Sequence, residues 1–306
     1  MTWRRAVGLS IALVAAGCSH SGGPEVGTPA NPVDGPRIAQ TGPSAASTSA
    51  PTDAVRLTRT LELDGVRVDV VIERPAAAQV DAVVLLHGTV SYDRLMLKAA
   101  HDTLDAFSAV LDRDDLLLVS VAYPEEGLLM GDNLAHAQAA LRWVQRHAAA
   151  ALGITIGKVF LAGHSQGGYL ATRLNTLHTV DGVIANAPGP LDLVFRCELE
   201  ETGRLESSPT CAGLARRYGP TTSDPDAYRA RSLLSFTSGH RADILFVQGL
   251  EDSKIQMRSW PWFRQELEAC TNCQDRTFLE VPGQGHPALF RSQEARRAVN
   301  AFLRAR

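Results

Sequence analysis

The chain has 306 residues, of which 45% are hydrophobic and 21% charged, as in an ordinary soluble globular protein. This length accommodates one α/β domain of about 250 residues together with additional N-terminal segments. The formal net charge is only −3, and no run of lysine or arginine stands out. Because phosphate binding normally leaves a basic patch, we expect no nucleic acid partner.

The first 17 residues predict a secretory signal peptide. Arg4 and Arg5 precede an uncharged, largely apolar run over residues 6–16, and small residues follow before Cys18. An apolar run of about eleven residues is too short to cross a bilayer of roughly 30 Å as a helix. The adjacent arginines also fit twin-arginine export, for which a single pair is weak evidence.

Cys18 follows Ala-Ala-Gly, and this segment resembles a bacterial lipobox, in which the cysteine is lipidated and becomes the new N-terminus. Ala15 departs from the pattern, which more often has Leu there, and an ordinary signal peptide with an incidental cysteine is the alternative. Residues 19–52 are rich in Ser, Gly, Pro, Ala and Thr, so residues 18–54 predict a lipidated cysteine and a flexible linker. We therefore expect an exported protein, anchored to a bacterial cell-envelope membrane on its periplasmic or outer surface.

An even number of cysteines in an exported protein indicates disulfide bonds. The four that follow the lipobox are Cys197, Cys211, Cys270 and Cys273. Proximity along the chain favours Cys197–Cys211 and Cys270–Cys273, although three pairings are formally possible. The second pair also has the spacing of a redox or metal pair, but no thioredoxin-like βαβ setting, second CxxC or His pair accompanies it.

Residues 55–306 are predicted to form one α/β domain. Asp64-Gly65 is a hairpin signal between two strands, and six apolar runs further along indicate strands buried in a parallel sheet. The predicted strands span residues 57–63, 66–73, 82–86, 116–121, 159–162, 183–187, 244–247 and 278–281. The predicted helices span residues 95–111, 133–151, 169–177, 262–269 and 291–304. This alternation predicts a mostly parallel, twisted sheet with helices on both faces.

Residues 188–243 separate two predicted strands and are too many for a plain connection. We interpret them as an insertion over the functional edge of the sheet, placed before the strand at residues 244–247. The insertion carries many Arg and Glu residues, so it does not resemble an apolar lid. The aromatic cluster at residues 260–263 is predicted to pack at the start of a helix, with a pocket-lining role as the alternative.

Residues 163–168, GHSQGG, fit the Gly-x-Ser-x-Gly nucleophile elbow and lie between a predicted strand and a predicted helix, as that turn requires. Small neighbours are needed because backbones crowd around the strained turn that presents the Ser165 hydroxyl. The helix N-terminus also supplies free backbone N–H groups where negative charge develops. Ser165 is therefore the candidate nucleophile.

A serine nucleophile requires a base to take its proton. In proteins that carry a Gly-x-Ser-x-Gly elbow, the base follows the serine in the sequence and lies at the end of a strand. His286 follows the last predicted strand in a glycine-rich loop at the correct edge of the sheet. His178 ends a predicted helix, and His240 precedes a strand at the wrong edge. His286 is the predicted base.

The third member of such a site is a carboxylate that holds the imidazole tautomer and stabilises the imidazolium. Asp252 and Glu251 both follow the strand at residues 244–247. Asp252 stands three residues after Gly249, a spacing that turns a carboxylate back toward the histidine. We therefore predict Asp252 as the acid and Glu251 as a solvated or locally paired residue.

An oxyanion hole requires two backbone donors. The N–H of Gln166, directly after the candidate nucleophile, is predicted as one of them. The other is expected from the loop after the strand at residues 82–86, where Gly88 allows a turn, and Thr89 is preferred to Val90. His87 is interpreted as a structural histidine packed under this loop.

Taken in order, His87-Gly88, the GHSQGG elbow, Gly249-x-x-Asp252 and the Gly-x-Gly segment ending at His286 resemble the α/β-hydrolase family. The resemblance covers about residues 57–304 and implies the α/β-hydrolase fold with a Ser-Asp-His triad. It does not specify the substrate. Esterases, peptidases of the prolyl-oligopeptidase group, dienelactone-hydrolase-like enzymes and acyltransferases share these motifs.

Such a triad implies hydrolysis of small carboxylic esters through an acyl-enzyme, without a metal or organic cofactor. The charged insertion favours soluble or short-acyl esters over triglycerides. A serine peptidase of the prolyl-oligopeptidase-like group is one alternative, for which the sequence shows no acidic anchor for a free peptide amine. A non-catalytic binding lipoprotein on a hydrolase scaffold is another, although the complete triad argues against it.

Overall fold

The computed structural model describes residues 54–306 of the chain. The predicted signal peptide, the lipidated Cys18 and nearly all of the linker lie outside these residues and stay predictions. Within the described part of the chain, no helix has both the length and the apolar character needed to cross a membrane.

One eight-stranded sheet forms the centre of the fold, in the spatial order β1-β2-β4-β3-β5-β6-β7-β8. The strands are β1 (Val55–Leu63), β2 (Val66–Arg74), β3 (Gln79–Leu86), β4 (Leu116–Ala122), β5 (Thr155–His164), β6 (Gly182–Asn186), β7 (Ile244–Gly249) and β8 (Arg276–Val281). β2 pairs antiparallel with β1 and with β4, and all the other pairings are parallel. The parallel strands therefore end together at one edge.

The antiparallel hairpin of β1 and β2 closes at Asp64 and Gly65. Both residues have positive φ angles, 53° and 77°. Two consecutive residues in this conformation match the right-handed twist of the flanking strands, and glycine adopts it without a steric penalty. The Asp64-Gly65 signal thus fixes the register in which Leu63 pairs with Val66.

Ten α-helices accompany the sheet in the described region. They are α1 (Met96–Ser108), α2 (Leu134–Trp143), α3 (Ala149–Leu152), α4 (Gln166–Leu177), α5 (Leu193–Glu201), α6 (Pro209–Tyr218), α7 (Pro225–Arg229), α8 (Lys254–Glu268), α9 (Ala288–Arg291) and α10 (Gln293–Ala305). A π-helical turn, Val144–Ala148, joins α2 to α3, and 3-10 turns occupy Asp93–Leu95 and Leu233–Phe236.

Both faces of the sheet are covered, because alternate residues of each central strand enter different hydrophobic clusters. In β3, Val84 and Leu86 pack with residues of α2, α4 and α8, whereas Val83 and Leu85 pack with residues of α1, α9 and α10. This explains why the central strands are continuous apolar runs without polar alternation. The mostly parallel sheet with helices on both faces confirms the predicted fold class.

The start of α8 differs from the sequence prediction, which placed it at residue 262. Ser253 caps the helix by accepting a hydrogen bond from the backbone N–H of Gln256, so α8 begins at Lys254 and contains Pro261 in its interior. An interior proline costs a helix about 3 kcal/mol. Buried Trp260 and Phe263 on either side of it offset this cost by packing on the sheet.

The last predicted helix, over residues 291–304, forms as α10, and the short α9 precedes it. Ser292 has extended backbone dihedrals and accepts a hydrogen bond from the N–H of Ala295, which ends α9 and begins α10. The predicted helix over residues 133–151 forms as α2, the π-helical turn and α3. It ends at Gly153, whose φ of 63° is the left-handed conformation typical of a helix terminus.

The insertion before β7 folds into α5, α6, α7 and a 3-10 turn. A disulfide bond between Cys197 and Cys211 joins α5 to α6, with the two Cα atoms 5.2 Å apart. Cys270 and Cys273 form a second disulfide directly after α8, with a Cα separation of 5.8 Å. The structure therefore contains the two pairs that sequence proximity favours.

Candidate active site

Ser165 lies between β5 and α4 with φ 57° and ψ −119°, a backbone conformation that residues other than glycine rarely adopt. The crowding around it is severe. A Cβ atom on Gly163 would overlap the carbonyl group of Gly167, and one on Gly167 would overlap the carbonyl group of Leu86. Glycine at these two positions allows the elbow to form between β5 and α4, with the first turn of α4 packed against the end of β3.

The loops after β7 and β8 bring Asp252 and His286 together. Asp252 Oδ2 and His286 Nδ1 are 2.8 Å apart, within hydrogen-bond distance. The Asp252 side chain is 3% exposed, whereas that of His286 is 41% exposed and faces a cavity that Ser165 also lines. Among the described residues no hydrogen bond joins the Ser165 hydroxyl to His286. Such bonds are often long in unliganded sites and tighten when substrate binds.

Gly249 provides the physical reason for the Gly249-x-x-Asp252 spacing. A Cβ atom at this position would overlap the backbone carbonyls of Gln284 and Gly285, so only glycine lets the two loops approach so closely. The approach directs Asp252 toward His286. The competing carboxylate, Glu251, is exposed.

Asp252 is surrounded by hydrogen-bond donors. Gln248 Nε2 donates to its Oδ2 at 3.0 Å, and the backbone N–H of Ser253 donates to its Oδ1 at 2.6 Å. Burial acts to raise the pKa of Asp252, but the hydrogen bonds from His286 and Gln248 outweigh it and hold the pKa below its ordinary value. The carboxylate is therefore ionised where it can stabilise an imidazolium.

His164, the residue before Ser165, packs beneath His286 with the ring centroids 4.8 Å apart. Its Nδ1 lies 2.7 Å from the side-chain nitrogen of Asn186 on β6. Burial lowers the pKa of His164 to about 4, so the ring is neutral at pH 7. Because the His164 ring is neutral, it packs against His286 without opposing the positive charge that His286 gains on protonation.

The predicted oxyanion donors belong to two segments, the loop after β3 and the first turn of α4. Gln166 is the first residue of α4, so its N–H has no partner within the helix. The N–H of Val90 faces the carboxyl group of Glu125, whereas no described residue accepts a hydrogen bond from the N–H of Thr89. This arrangement favours Thr89 over Val90 as the second donor.

His87 packs under the loop that follows β3, as the sequence predicts. Its ring stacks on Tyr123 with a centroid distance of 3.8 Å, and its Nδ1 lies 2.7 Å from the carbonyl oxygen of Gly88. The Tyr123 hydroxyl donates a hydrogen bond to the carbonyl oxygen of His87. Burial lowers the pKa of His87 to about 4. These contacts give the residue a structural role.

The candidate site opens into a cavity of about 1240 Å³. One wall consists of the loops at the carboxyl ends of the strands, and the insertion supplies the other, including Arg196, Arg216 and Arg217. The aromatic cluster of α8 does not line this cavity. Trp260 and Phe263 are buried against Phe246 of the sheet, in the middle of α8 and not at its start.

Glu125, Gln248 and Asn133 also belong to this region, and the sequence interpretation missed them. Glu125 follows the end of β4, and Gln248 lies on β7 next to the carboxyl end of that strand. The criterion that located Asp252 and His286, a polar residue at the carboxyl end of a buried strand, applies to both. Asn133 precedes α2 and carries no comparable signal.

No protein-family model and no curated protein matches this chain. Solved structures do. A hyperthermophilic esterase from the archaeon Pyrobaculum calidifontis matches with a TM-score of 0.60 and 19% identity over 82% of either chain. Est1E from Butyrivibrio proteoclasticus matches with a TM-score of 0.58 and 13% identity, over 81% of this chain and 98% of its own.

A Pyrococcus horikoshii acylaminoacyl peptidase matches with a TM-score of 0.57 and 12% identity over 82% of this chain. The match spans only 42% of that peptidase. Similarities at these identities concern the fold. Together with the sheet order and the placement of the elbow, they show that the chain has the α/β-hydrolase fold.

The buried His87 predicts a pH dependence of stability. Its pKa of about 4 lies below the ordinary value of 6.5, so the unfolded chain takes up a proton at a pH where the folded chain does not. Protonation of His87 in the unfolded chain therefore lowers its contribution to the free energy of unfolding by about 2 kcal/mol between pH 7 and pH 5. Urea denaturation at the two pH values measures it.

The His87→Asn variant is expected to be less stable at pH 7 but to show a pH dependence smaller by about 2 kcal/mol. His147→Asn is the matched control, because His147 is exposed on the helical surface. Equal pH dependence in wild type and His87→Asn would contradict the burial argument.

Proposed function

We propose that the protein is a serine hydrolase that cleaves carboxylic esters through an acyl-enzyme intermediate. The observation that carries the proposal is the 2.8 Å contact between His286 and an almost fully buried Asp252, in the cavity that Ser165 lines. A carboxylate that orients an imidazole beside a strained serine is the arrangement that activates a hydroxyl nucleophile.

In the proposed reaction, His286 Nε2 takes the hydroxyl proton as Ser165 Oγ attacks the ester carbonyl carbon. The carbonyl oxygen becomes an oxyanion, which the backbone N–H groups of Gln166 and Thr89 stabilise. His286 then gives the proton to the departing alkoxide, so that an alcohol and an acyl-Ser165 form. A water molecule, deprotonated by His286, then attacks the acyl-Ser165 carbonyl carbon. This step releases the carboxylic acid product and returns the proton to Ser165 Oγ. Asp252 stays ionised throughout.

The cavity supports small, soluble esters as substrates. The insertion contributes three arginines to its wall, and an interfacial lipase would need an apolar lid in that place. The esterase from Pyrobaculum calidifontis shares the fold over most of both chains. No metal or organic cofactor takes part in the proposed chemistry.

Amide hydrolysis is the second candidate, since an acylaminoacyl peptidase has the same fold. Recognition of a free peptide amine requires an acidic residue in the cavity. The cavity wall contains the carboxyl group of Glu125, which the sequence interpretation did not identify. An ester remains the preferred substrate because its leaving alkoxide needs less assistance than an amine. A non-catalytic binding protein is the third possibility. A test of covalent reactivity at Ser165 distinguishes it from the two enzymes.

The proposal predicts that a fluorophosphonate probe labels the wild-type protein at Ser165 and that Ser165→Ala abolishes the labelling. Asp252→Asn should lower the labelling rate and kcat by on the order of 10³–10⁴-fold, because the imidazole tautomer is no longer held. Glu251→Gln is the matched control and should react at the wild-type rate. The measurement is a labelling time course with mass-spectrometric identification of the modified residue.

A folded wild-type protein that fails to label would overturn the catalytic proposal and leave the binding protein. A larger loss in Glu251→Gln than in Asp252→Asn would instead show that the acid is misassigned.

Ester preference predicts that kcat/KM for 4-nitrophenyl acetate and butyrate exceeds that for aminoacyl 4-nitroanilides by at least about 100-fold, a transition-state difference of roughly 2.7 kcal/mol. The 4-nitrophenyl decanoate ester should react more slowly than the butyrate, because the cavity wall is charged. Initial rates with Ser165→Ala as the blank measure both ratios. Faster turnover of the anilides would reverse the assignment in favour of the peptidase.

We also propose that the enzyme is exported and anchored through a lipid on Cys18, a proposal supported by the lipobox resemblance and the linker composition alone. The full chain expressed in a bacterium should require detergent for extraction, because buried acyl chains hold a protein on a membrane. Cys18→Ser should lose the acyl modification in the mass spectrum and need no detergent. An unmodified Cys18 in mature wild-type protein would refute the anchor.

A further inference from the structure

Glu125 lies in the loop after β4, at the carboxyl edge of the sheet, and lines the cavity that also contains Ser165. Asp93 fixes this loop, because its Oδ1 accepts hydrogen bonds from the backbone N–H groups of Glu125 and Glu126 at 2.7 and 2.9 Å. The proposed reaction uses neither glutamate. A half-buried carboxyl group in the cavity of the candidate nucleophile therefore needs its own explanation.

The contacts of Gln166 connect Glu125 to the oxyanion hole. The neighbours of the Gln166 amide determine its orientation, since one end faces acceptors and the other faces a donor. The amide nitrogen lies 2.7 Å from Thr89 Oγ1 and 3.1 and 3.2 Å from the two carboxyl oxygens of Glu125. The amide oxygen accepts a hydrogen bond from Asn133 Nδ2 at 2.8 Å. One side chain thus joins four separate segments of the chain.

Two of these four residues, Thr89 and Gln166, carry the backbone N–H groups that the proposed function assigns to the oxyanion hole. Gln166 begins α4, and Thr89 lies in the loop after β3. The packing of Gly167 against Leu86 and His87 brings these two segments together. The side-chain contact between Gln166 and Thr89 then fixes the distance between the two N–H groups, and Glu125 and Asn133 hold the amide in place. Donors must lie about 2.7–3.1 Å from the oxyanion, so small displacements weaken its stabilisation.

The position of Glu125 also favours one charge state. Its hydrogen bond with Gln166 can form whether the carboxyl group is neutral or ionised, because both forms offer an acceptor oxygen. A negative charge, however, would repel the oxyanion that develops near the backbone N–H of Gln166 in the proposed reaction. The neutral acid is therefore the form that supports the reaction.

The surroundings of Glu125 maintain the neutral form near pH 7. Burial is the largest influence and raises the pKa of Glu125 to about 8, against the lowering effect of the Val90 N–H, and the charge of Asp93 adds to the rise. Burial raises the pKa of Tyr123, beneath the loop, well above its ordinary value. Burial lowers the pKa of His136 on α2. Neither of these side chains supplies a charge that would favour ionised Glu125.

We propose that Glu125 is a positioning residue. As a neutral acid in contact with Gln166, it keeps the two backbone N–H groups of the oxyanion hole at the distance that the reaction requires. The inference rests on the serine-hydrolase function proposed above. It assigns to the loop after β4 a role in the rate of the chemical step and in its dependence on pH.

The test compares Glu125→Gln, Glu125→Ala and the matched control Glu126→Gln, with 4-nitrophenyl acetate between pH 6 and 9.5. The kcat of wild type and of Glu126→Gln should fall by about 10- to 100-fold above pH 8, the order expected for like charges roughly 6–12 Å apart at an effective dielectric constant of about 20. Glu125→Gln mimics the neutral acid and should lose this fall. Glu125→Ala should lower kcat about tenfold or more at pH 7 with little change in KM.

Circular dichroism and thermal denaturation of each variant establish that it is folded, and Glu125→Gln preserves the shape of the side chain if Glu125→Ala does not fold. A wild-type kcat without an alkaline fall, or the same fall in Glu125→Gln, would overturn the neutral-acid role. An unchanged kcat in folded Glu125→Ala would overturn the positioning role. Ser165-dependent labelling in all variants would leave the hydrolase function standing, whereas its absence in wild type would refute that function first.

Discussion

The close contact between the first turn of α4 and the end of β3 is the constraint on which the candidate site depends. Gly167 leaves no space for a side chain against the Leu86 carbonyl, and Gly163 leaves none against Gly167. This contact holds the elbow directly beside the loop that follows β3. Ser165, the helix N-terminus and the loop that contains Thr89 are therefore brought together by packed backbone, before any side-chain interaction is considered.

Two carboxyl groups of this cavity show how surroundings set opposite chemical states. Asp252 and Glu125 both experience burial, which acts against ionisation. Asp252 receives hydrogen bonds from a histidine, an amide and a backbone N–H, and these keep it charged. Glu125 has fewer donors and a neighbouring acid, Asp93, so its pKa rises. The first state suits a partner for an imidazolium, and the second suits a neighbour of an oxyanion.

Much of the fold could be predicted from the sequence because its signals are local. Buried parallel strands appear as apolar runs, and an elbow appears as small residues around a serine. The start of α8 could not be predicted this way, since Pro261 suggests a boundary and only the packing of Trp260 and Phe263 on the sheet offsets it. Glu125 cannot be told from its sequence neighbour Glu126 in this way, because only its contact with Gln166, which is distant in sequence, distinguishes the two.

The disulfide between Cys197 and Cys211 stabilises only one wall of the candidate site, the wall that the insertion forms. Ser165, Asp252 and His286 follow strands of the sheet, and neither disulfide links those strands to one another. The arginine-bearing wall opposite them belongs to a segment whose two helices are covalently joined. The candidate triad therefore depends on hydrophobic packing, whereas the covalent link within the opposite wall requires oxidising conditions to form and persist.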